Sequence, residues 1–195
     1  MRSAPLFGAY LPDGFHYRLD FISAGEEASL AESIERLEFA TFDMRGVTAR
    51  RRVAFFGASY DAAAGVTPEI PSFLLPLRDR LASWAGIGSN AFAMALINEY
   101  PRGAPIGWHR DAPQYGIVAG VSLLSACRMR LRPYVSPGQR GAGQRSRRTA
   151  THEIVLERRS AYLMTGSARS GYEHHIPAVP SLRYSITFRT LRDKS

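Results

Sequence analysis

His109 and Asp111 stand two residues apart in the stretch IGWHRDAP, residues 106–113. In an extended segment residues i and i+2 point to the same face, so an imidazole and a carboxylate could converge there while Arg110 turns away. A nitrogen donor and an oxygen donor aimed at one point make half of a metal site, and the pattern alone says no more than that.

A second chemical signal lies in Leu182-Arg183-Tyr184-Ser185-Ile186-Thr187-Phe188-Arg189. Period two puts Leu182, Tyr184, Ile186 and Phe188 on one face and Arg183, Ser185, Thr187 and Arg189 on the other. The commonest fate of such alternation is a strand with its apolar side on the core and its polar side in water. Inside a barrel the polar side can instead line a cavity, where two guanidiniums six residues apart form a wall for carboxylates. Enclosed arginines without an anion are costly, so an inward pair predicts an anionic ligand.

Upstream of that strand runs Tyr172-Glu173-His174-His175-Ile176-Pro177. A histidine here supplies the donor that His109 and Asp111 lack. Two histidines and one carboxylate, with other positions open, form the facial triad of non-haem Fe(II) oxygenases. Neighbours on a strand face opposite sides, so only one of His174 and His175 can serve. His16 and His152 have no partners at ligand spacing and read as ordinary polar positions.

These groups need elements to hold them. Ser23-Ala24-Gly25-Glu26 has the form of a capping box, and Leu30, Ile34 and Leu37 follow at helical spacing, which predicts a helix over about 25–37. Leu74, Leu77, Leu81 and Trp84 predict a second helix over about 73–85, with Pro76 in its first turn and Gly86 ending it. Short strand-like runs then follow at 91–97, 116–125, 128–133, 152–156, 160–164 and 183–189. Strands after two helices predict an α+β domain whose second half is a sandwich or barrel. The Gly-rich, basic stretch 136–150 reads as a loop, because strands continue beyond it.

The chain has 195 residues and 45% hydrophobic content, which suits one domain with a sizeable core. No apolar run approaches the ~20 residues of a bilayer span. The N-terminus lacks the apolar core of a secretory signal, so a cytoplasmic location is the expectation, with a monomer as the default state. Cys127 is the only cysteine and reads as a buried thiol. The net charge of +8 favours polyanionic partners through counterion release, nucleic acid among them.

Taken in order, Asn98-Glu99-Tyr100 (N-x-Y), His109-Arg110-Asp111 (H-x-D), a later His and Arg183 to Arg189 (R-x-S-x-T-x-R) resemble the AlkB family of Fe(II)- and 2-oxoglutarate-dependent dioxygenases. The stretch RRVAFFGASYD (51–61) resembles that family's lid strand, and VSLLSACRMRLR its strands after the iron motif. The resemblance implies a double-stranded β-helix (jelly-roll) core flanked by N-terminal helices. A single domain would span 1–195, with helices and lid over about 1–90 and the barrel over about 91–195. His109, Asp111 and a distal His would bind Fe(II); the family segment, a His before a short residue, Ile and Pro, aligns with His174 and leaves His175 a supporting or surface residue. Arg183 would hold the far carboxylate of 2-oxoglutarate with Tyr100 and Asn98, and Arg189 would complete the anionic pocket. Ser185 stands where better-known members carry Asn, so rearranged contacts are expected there. O2 would be the other cosubstrate.

The activity implied is oxidative dealkylation of N-alkylated bases in single-stranded DNA or RNA, releasing an aldehyde, succinate and CO2. Stacking would come from His109 and from lid aromatics Phe56 or Tyr60, and phosphate contacts from Arg51, Arg52 and the loop arginines Arg140, Arg145, Arg147 and Arg148. Ala112-Pro113 replaces the acidic residue that DNA-repairing members often place after the metal-binding Asp. Two other readings stand beside this one: the same oxygenase acting on a protein side chain or small molecule, and a non-catalytic basic binding module.

Overall fold

Ser23 caps the first helix as its sequence dictates: its side chain accepts from the Glu26 amide, and the Glu26 carboxylate accepts from the Ser23 amide at 2.8 Å. In the computed structural model the residues described are 11–44, 47–58, 67–136 and 151–192. Tyr60 and the arginines of the 136–150 loop fall outside them. The helix, α1, spans Ala24–Glu35 and buries Leu30 and Ile34, while Leu37 reaches the core from beyond the C-cap. A 3-10 turn precedes α2 (Leu75–Ala85), whose first turn carries Pro76 and whose end is set by Gly86 at φ 69°. That left-handed angle is cheap only for glycine.

The strands are β1 (Phe15–Arg18), β2 (Ala40–Met44), β3 (Val47–Gly57), β4 (Phe92–Tyr100), β5 (Ile106–His109), β6 (Tyr115–Leu123), β7 (Cys127–Pro133), β8 (His152–Leu156), β9 (Ala161–Met164), β10 (Tyr172–Ile176) and β11 (Arg183–Leu191), with a short helix α3 at Gly166–Ser170. They form a seven-stranded sheet in the order β1-β9-β6-β11-β4-β3-β2 and a four-stranded sheet in the order β5-β10-β7-β8. Each pairing is antiparallel, which gives the jelly-roll architecture. The sequence pattern missed how early the sheet begins. β1, β2 and β3 lie N-terminal to about residue 90, yet β3 bonds directly to β4 and β1 to β9. The stretch resembling a lid strand is therefore a strand of the large sheet.

Two cores result. One packs α1 and α2 on the large sheet and takes up Tyr184, Ile186 and Phe188 of β11; the other includes Met129, Leu131, Tyr162 and Ile176. With its apolar face under the helices, β11 turns its polar face inward, and Arg183 through Arg189 are all buried. That polar row is held away from the outer surface of the barrel and faces its interior.

At one end of the barrel, Glu27 of α1 is a buried carboxylate with 1% exposure. It accepts the Leu124 amide at 2.7 Å and pairs with Arg158 Nε at 2.6 Å. Leu124 and Arg159 both hold positive φ, at 70° and 66°. Glu27 thus clamps two strained turns to the first helix. Glu27→Ala leaves the Leu124 amide enclosed without an acceptor, and is expected to cost about 2 kcal/mol in urea unfolding. An unchanged midpoint would show that water replaces the carboxylate.

Candidate metal and cosubstrate site

The register of β4 against β11 assembles the polar wall. Tyr100 lies opposite Arg183 and Asn98 opposite Ser185, so the N-x-Y and R-x-S motifs meet side by side. Asn98, Tyr100, Ser185, Thr187 and Arg189 line a cavity of about 230 Å³ together with His109, Asp111 and His174.

The donor groups gather where β5 meets β10. His174 is the cross-strand partner of His109, and their ring centroids are 4.2 Å apart. His109 Nδ1 sits 2.9 Å from the Gly107 carbonyl. A proton on that nitrogen satisfies the carbonyl and leaves Nε2 free as a donor to a metal. Arg189 forks onto a single oxygen of Asp111, with Nε at 2.9 Å and Nη2 at 2.7 Å from Oδ1. The other oxygen, Oδ2, stays open and lies 3.8 Å from His174 Nε2. Bonds of ~2.1 Å at right angles would place adjacent ligand atoms ~3 Å apart. Among the described residues no group of three stands in metal-holding geometry; His109, Asp111 and His174 line one cavity, with His174 Nε2 and Asp111 Oδ2 3.8 Å apart.

Their protonation suits a divalent cation. Burial alone would raise the Asp111 carboxyl, but the Arg189 guanidinium and then His174 outweigh it and hold the group below the usual carboxylate range. Burial, followed by the neighbouring His109, pushes His174 down to about 3. Burial lowers His109 as well, with the Gly107 carbonyl opposing. At neutral pH the set is one carboxylate and two neutral imidazoles, the forms that ligate without releasing protons.

Arg183, at the far end of the polar row, is fully enclosed and lies behind the residues that line the cavity, next to Tyr100 and Ser185. Its Nη2 donates to Ser122 Oγ at 2.7 Å and its guanidinium lies 5.2 Å from the Tyr100 ring centroid. Its Nε and Nη1 are buried with no hydrogen-bond partner among the described residues. Orphaned donors on an enclosed cation are costly, and a carboxylate fits them.

Several sequence expectations shift. Arg189 does not complete an open anion pocket: besides Asp111 it donates Nη1 to Thr187 Oγ1 at 3.1 Å, and so it braces the carboxylate. On β3 the inward residues are Arg51, Val53 and Phe55, which line the cavity. Phe56 is therefore not a rim aromatic; it is buried in the helix-covered core, and Phe55, 40% exposed, takes the rim position. Arg52 faces away with Phe56, forks onto Glu99 and lies 5.5 Å from the Phe39 ring centroid, so it is already committed. His175 also points away and stacks on Trp108 at 5.1 Å, while His152 meets Tyr172 edge-on. Arg110 is exposed at the rim, held 3.4 Å from the Tyr134 ring centroid and 3.2 Å from the Ser170 carbonyl.

Two residues were missed. Arg169 of α3 donates Nη2 to the Ala112 and Tyr115 carbonyls at 2.6 and 2.8 Å, fixing the segment after Asp111. Tyr162 of β9 lines the cavity. The available signal for it was Gly120, a mid-strand glycine of the kind that marks a close approach.

Sheet order, an enclosed arginine row and a two-histidine, one-carboxylate cluster define a jelly-roll oxygenase scaffold. The 2OG-Fe(II) oxygenase superfamily matches residues 48–189, and the chain belongs to it: it is a dioxygenase whose metal is Fe(II) and whose cosubstrates are 2-oxoglutarate and O2. Within that superfamily it is similar to proteins named as AlkB homologues. It is 24% identical over 177 residues to an Arabidopsis thaliana protein named alkylated DNA repair protein ALKBH8 homolog, covering 81% of this chain and 49% of that one. The chain thus spans about half the length of that relative. Its fold matches the structure of OsALKBH1 with a TM-score of 0.69 at 15% identity, over 93% of this chain and all of the other. A Pseudomonas putida prolyl-4-hydroxylase matches with a TM-score of 0.59 at 13% identity, over 92% of this chain and 93% of the other.

Proposed function

We propose that this chain removes N-alkyl groups from nucleic-acid bases by oxidation dependent on Fe(II) and 2-oxoglutarate. The observation that carries the reading is the rim of the cavity. Exposed Phe55 and Arg110 stand there, Arg51 is buried in the cavity wall, and the one carboxylate of the lining, Asp111, is taken up by Arg189. An aromatic face beside cations, with no opposing free acid, suits a base flanked by phosphates. The charge of +8 adds a long-range pull on a polyanion. The name of the Arabidopsis relative, which speaks of alkylated DNA, points the same way.

In this reading His109, Asp111 and His174 hold the iron, and Arg189 keeps Asp111 ionised and aimed. Arg183, Tyr100, Asn98 and Ser185 hold the 2-oxo acid. Bound there, metal and 2-oxo acid would let O2 accept four electrons, two from 2-oxoglutarate as it becomes succinate and CO2 and two from the N-alkyl carbon, one oxygen atom going to each; the hydroxylated carbon would then leave nitrogen as an aldehyde. His109, at the rim side, forms a surface against which an extruded or single-stranded base can lie. Ala112, following Asp111, leaves room beside it. Among the described residues no helix is long and apolar enough to cross a membrane, and the free, buried Cys127 suits the reducing cytoplasm in which we place the chain.

The test is a methylated single-stranded oligonucleotide incubated with Fe(II), 2-oxoglutarate and air, with succinate and formaldehyde read together. Equal yields that fall steeply with added salt are expected. Succinate without formaldehyde would move the substrate to a protein side chain or small molecule.

A further inference from the structure

We propose that the hydroxyl of Tyr162 is a hydrogen-bond donor to the bound 2-oxo acid, seated for that task by Gly120. This rests on reading the cavity as the 2-oxo acid site and is independent of the nucleic-acid substrate.

The placement begins with register. Tyr162 of β9 is the cross-strand partner of Gly120 on β6, and Gly120 is the partner of Thr187 on β11. The phenol side chain therefore lies level with Thr187, between Arg183 at one end of the polar row and Arg189 at the other. A methyl group on Gly120 would stand 2.3 Å from the Tyr162 ring and 2.6 Å from its oxygen. Only glycine leaves the hollow that lets this ring lie flat across β6. The other side of the ring stacks on Phe15, with centroids 5.8 Å apart and planes within 9°. Two contacts thus fix the ring, and with two-bond freedom gone the hydroxyl has one place to be.

Tyr162 is 7% exposed and lines the same cavity as Asn98, Tyr100 and Ser185. Its hydroxyl makes no hydrogen bond to any described residue, and it is not sealed off among the buried orphan atoms, so what it touches is the cavity. Enclosed phenols normally find a partner for the O–H. A 2-oxo acid reaching from the metal donors toward Arg183 passes this hydroxyl and supplies oxygen acceptors along its length. A tyrosine kept only for bulk would need neither the hollow at Gly120 nor an open hydroxyl.

Tyr162→Phe keeps the ring and its stacking and removes one atom. In anaerobic calorimetry on the Mn(II)-loaded protein, it is expected to weaken 2-oxoglutarate about tenfold with Mn(II) affinity unchanged. In turnover, the KM for 2-oxoglutarate should rise by about the same factor while kcat stays within about twofold. Gly120→Ala displaces the ring and should weaken binding too, and the double variant should lose less than the product of the two singles. A Tyr162→Phe affinity within about twofold of the parent overturns the proposal. An Arg183→Met control separates the failures: if it loses binding while Tyr162→Phe does not, the site stands and the tyrosine is only a wall. If both bind as the parent does, the cavity is not the 2-oxo acid site.

Discussion

Arg183→Met is expected to abolish 2-oxoglutarate binding while leaving the ligand-free protein as stable as the parent or more so. The two halves have one cause. In the free protein, Arg183 is enclosed, gives one hydrogen bond to Ser122 and holds two further N–H groups with no partner among the described residues. A buried cation with idle donors destabilises, and replacing such groups with apolar side chains of similar size is often neutral or stabilising by roughly 1–4 kcal/mol. A gain of about 1 kcal/mol corresponds to a rise of roughly 2–4 °C in the unfolding midpoint for a chain of this length. The same idle donors are what a carboxylate would meet in a fork, so removing them should weaken 2-oxoglutarate at least about 100-fold. Calorimetry with Mn(II) and a thermal scan of the metal-free protein measure both. Lysine should not rescue binding, because a point charge cannot reproduce the planar fork. A marked fall in stability would instead make Arg183 a structural residue tied to Ser122, and the anion site would have to lie elsewhere.

What was legible in the chain were the patterns that repeat with a period and end in chemistry. The alternation of β11 showed which of its residues share a face, and the cost of enclosing arginines said what a cavity there would need. The choice between the two faces depended on α1 and α2, which cover Tyr184, Ile186 and Phe188. Phe55 and Phe56 show where such reasoning stops. Adjacent aromatics on a strand point opposite ways, and nothing local tells which one looks inward. The partner β4 and the helices beyond it decide, and Phe56 went to the helices. Strands β1 (FHYR) and β2 (ATFDM) do alternate apolar and polar residues, but over four and five residues the period is too short to stand out. Glu27 reads in sequence as a first-turn acid favoured by the helix dipole; its burial comes from two turns more than ninety residues away. Arg169 lies in a five-residue helix, and what it holds is backbone carbonyl, which no sequence motif records.

His174→Ala and His175→Ala are adjacent changes with opposite expected results. His174 faces His109 across the β5–β10 pair and is 9% exposed; His175 turns outward and stacks on Trp108. His174→Ala is expected to weaken Mn(II) or Fe(II) by more than the roughly 10- to 100-fold typical of losing a supporting group, and His175→Ala by no more than about threefold. Stability adds a second axis. His174→Ala removes a neutral imidazole and leaves Asp111 clasped by Arg189, so the metal-free protein should lose little beyond its packing. Asp111→Asn keeps the shape but removes the one carboxylate that pairs with Arg189 among the described residues, leaving a 9% exposed guanidinium without that counter-charge. It should therefore lose metal and, in addition, roughly 3 kcal/mol of stability, since breaking one side of a buried pair leaves the other charge uncompensated. Metal binding lost in both variants with stability lost only in Asp111→Asn would separate the two duties of that carboxylate: one oxygen for the metal, the other for Arg189. If His175→Ala were the variant that lost metal, β10 would have to turn its other face to Asp111, and the register of His174 against His109 would be wrong.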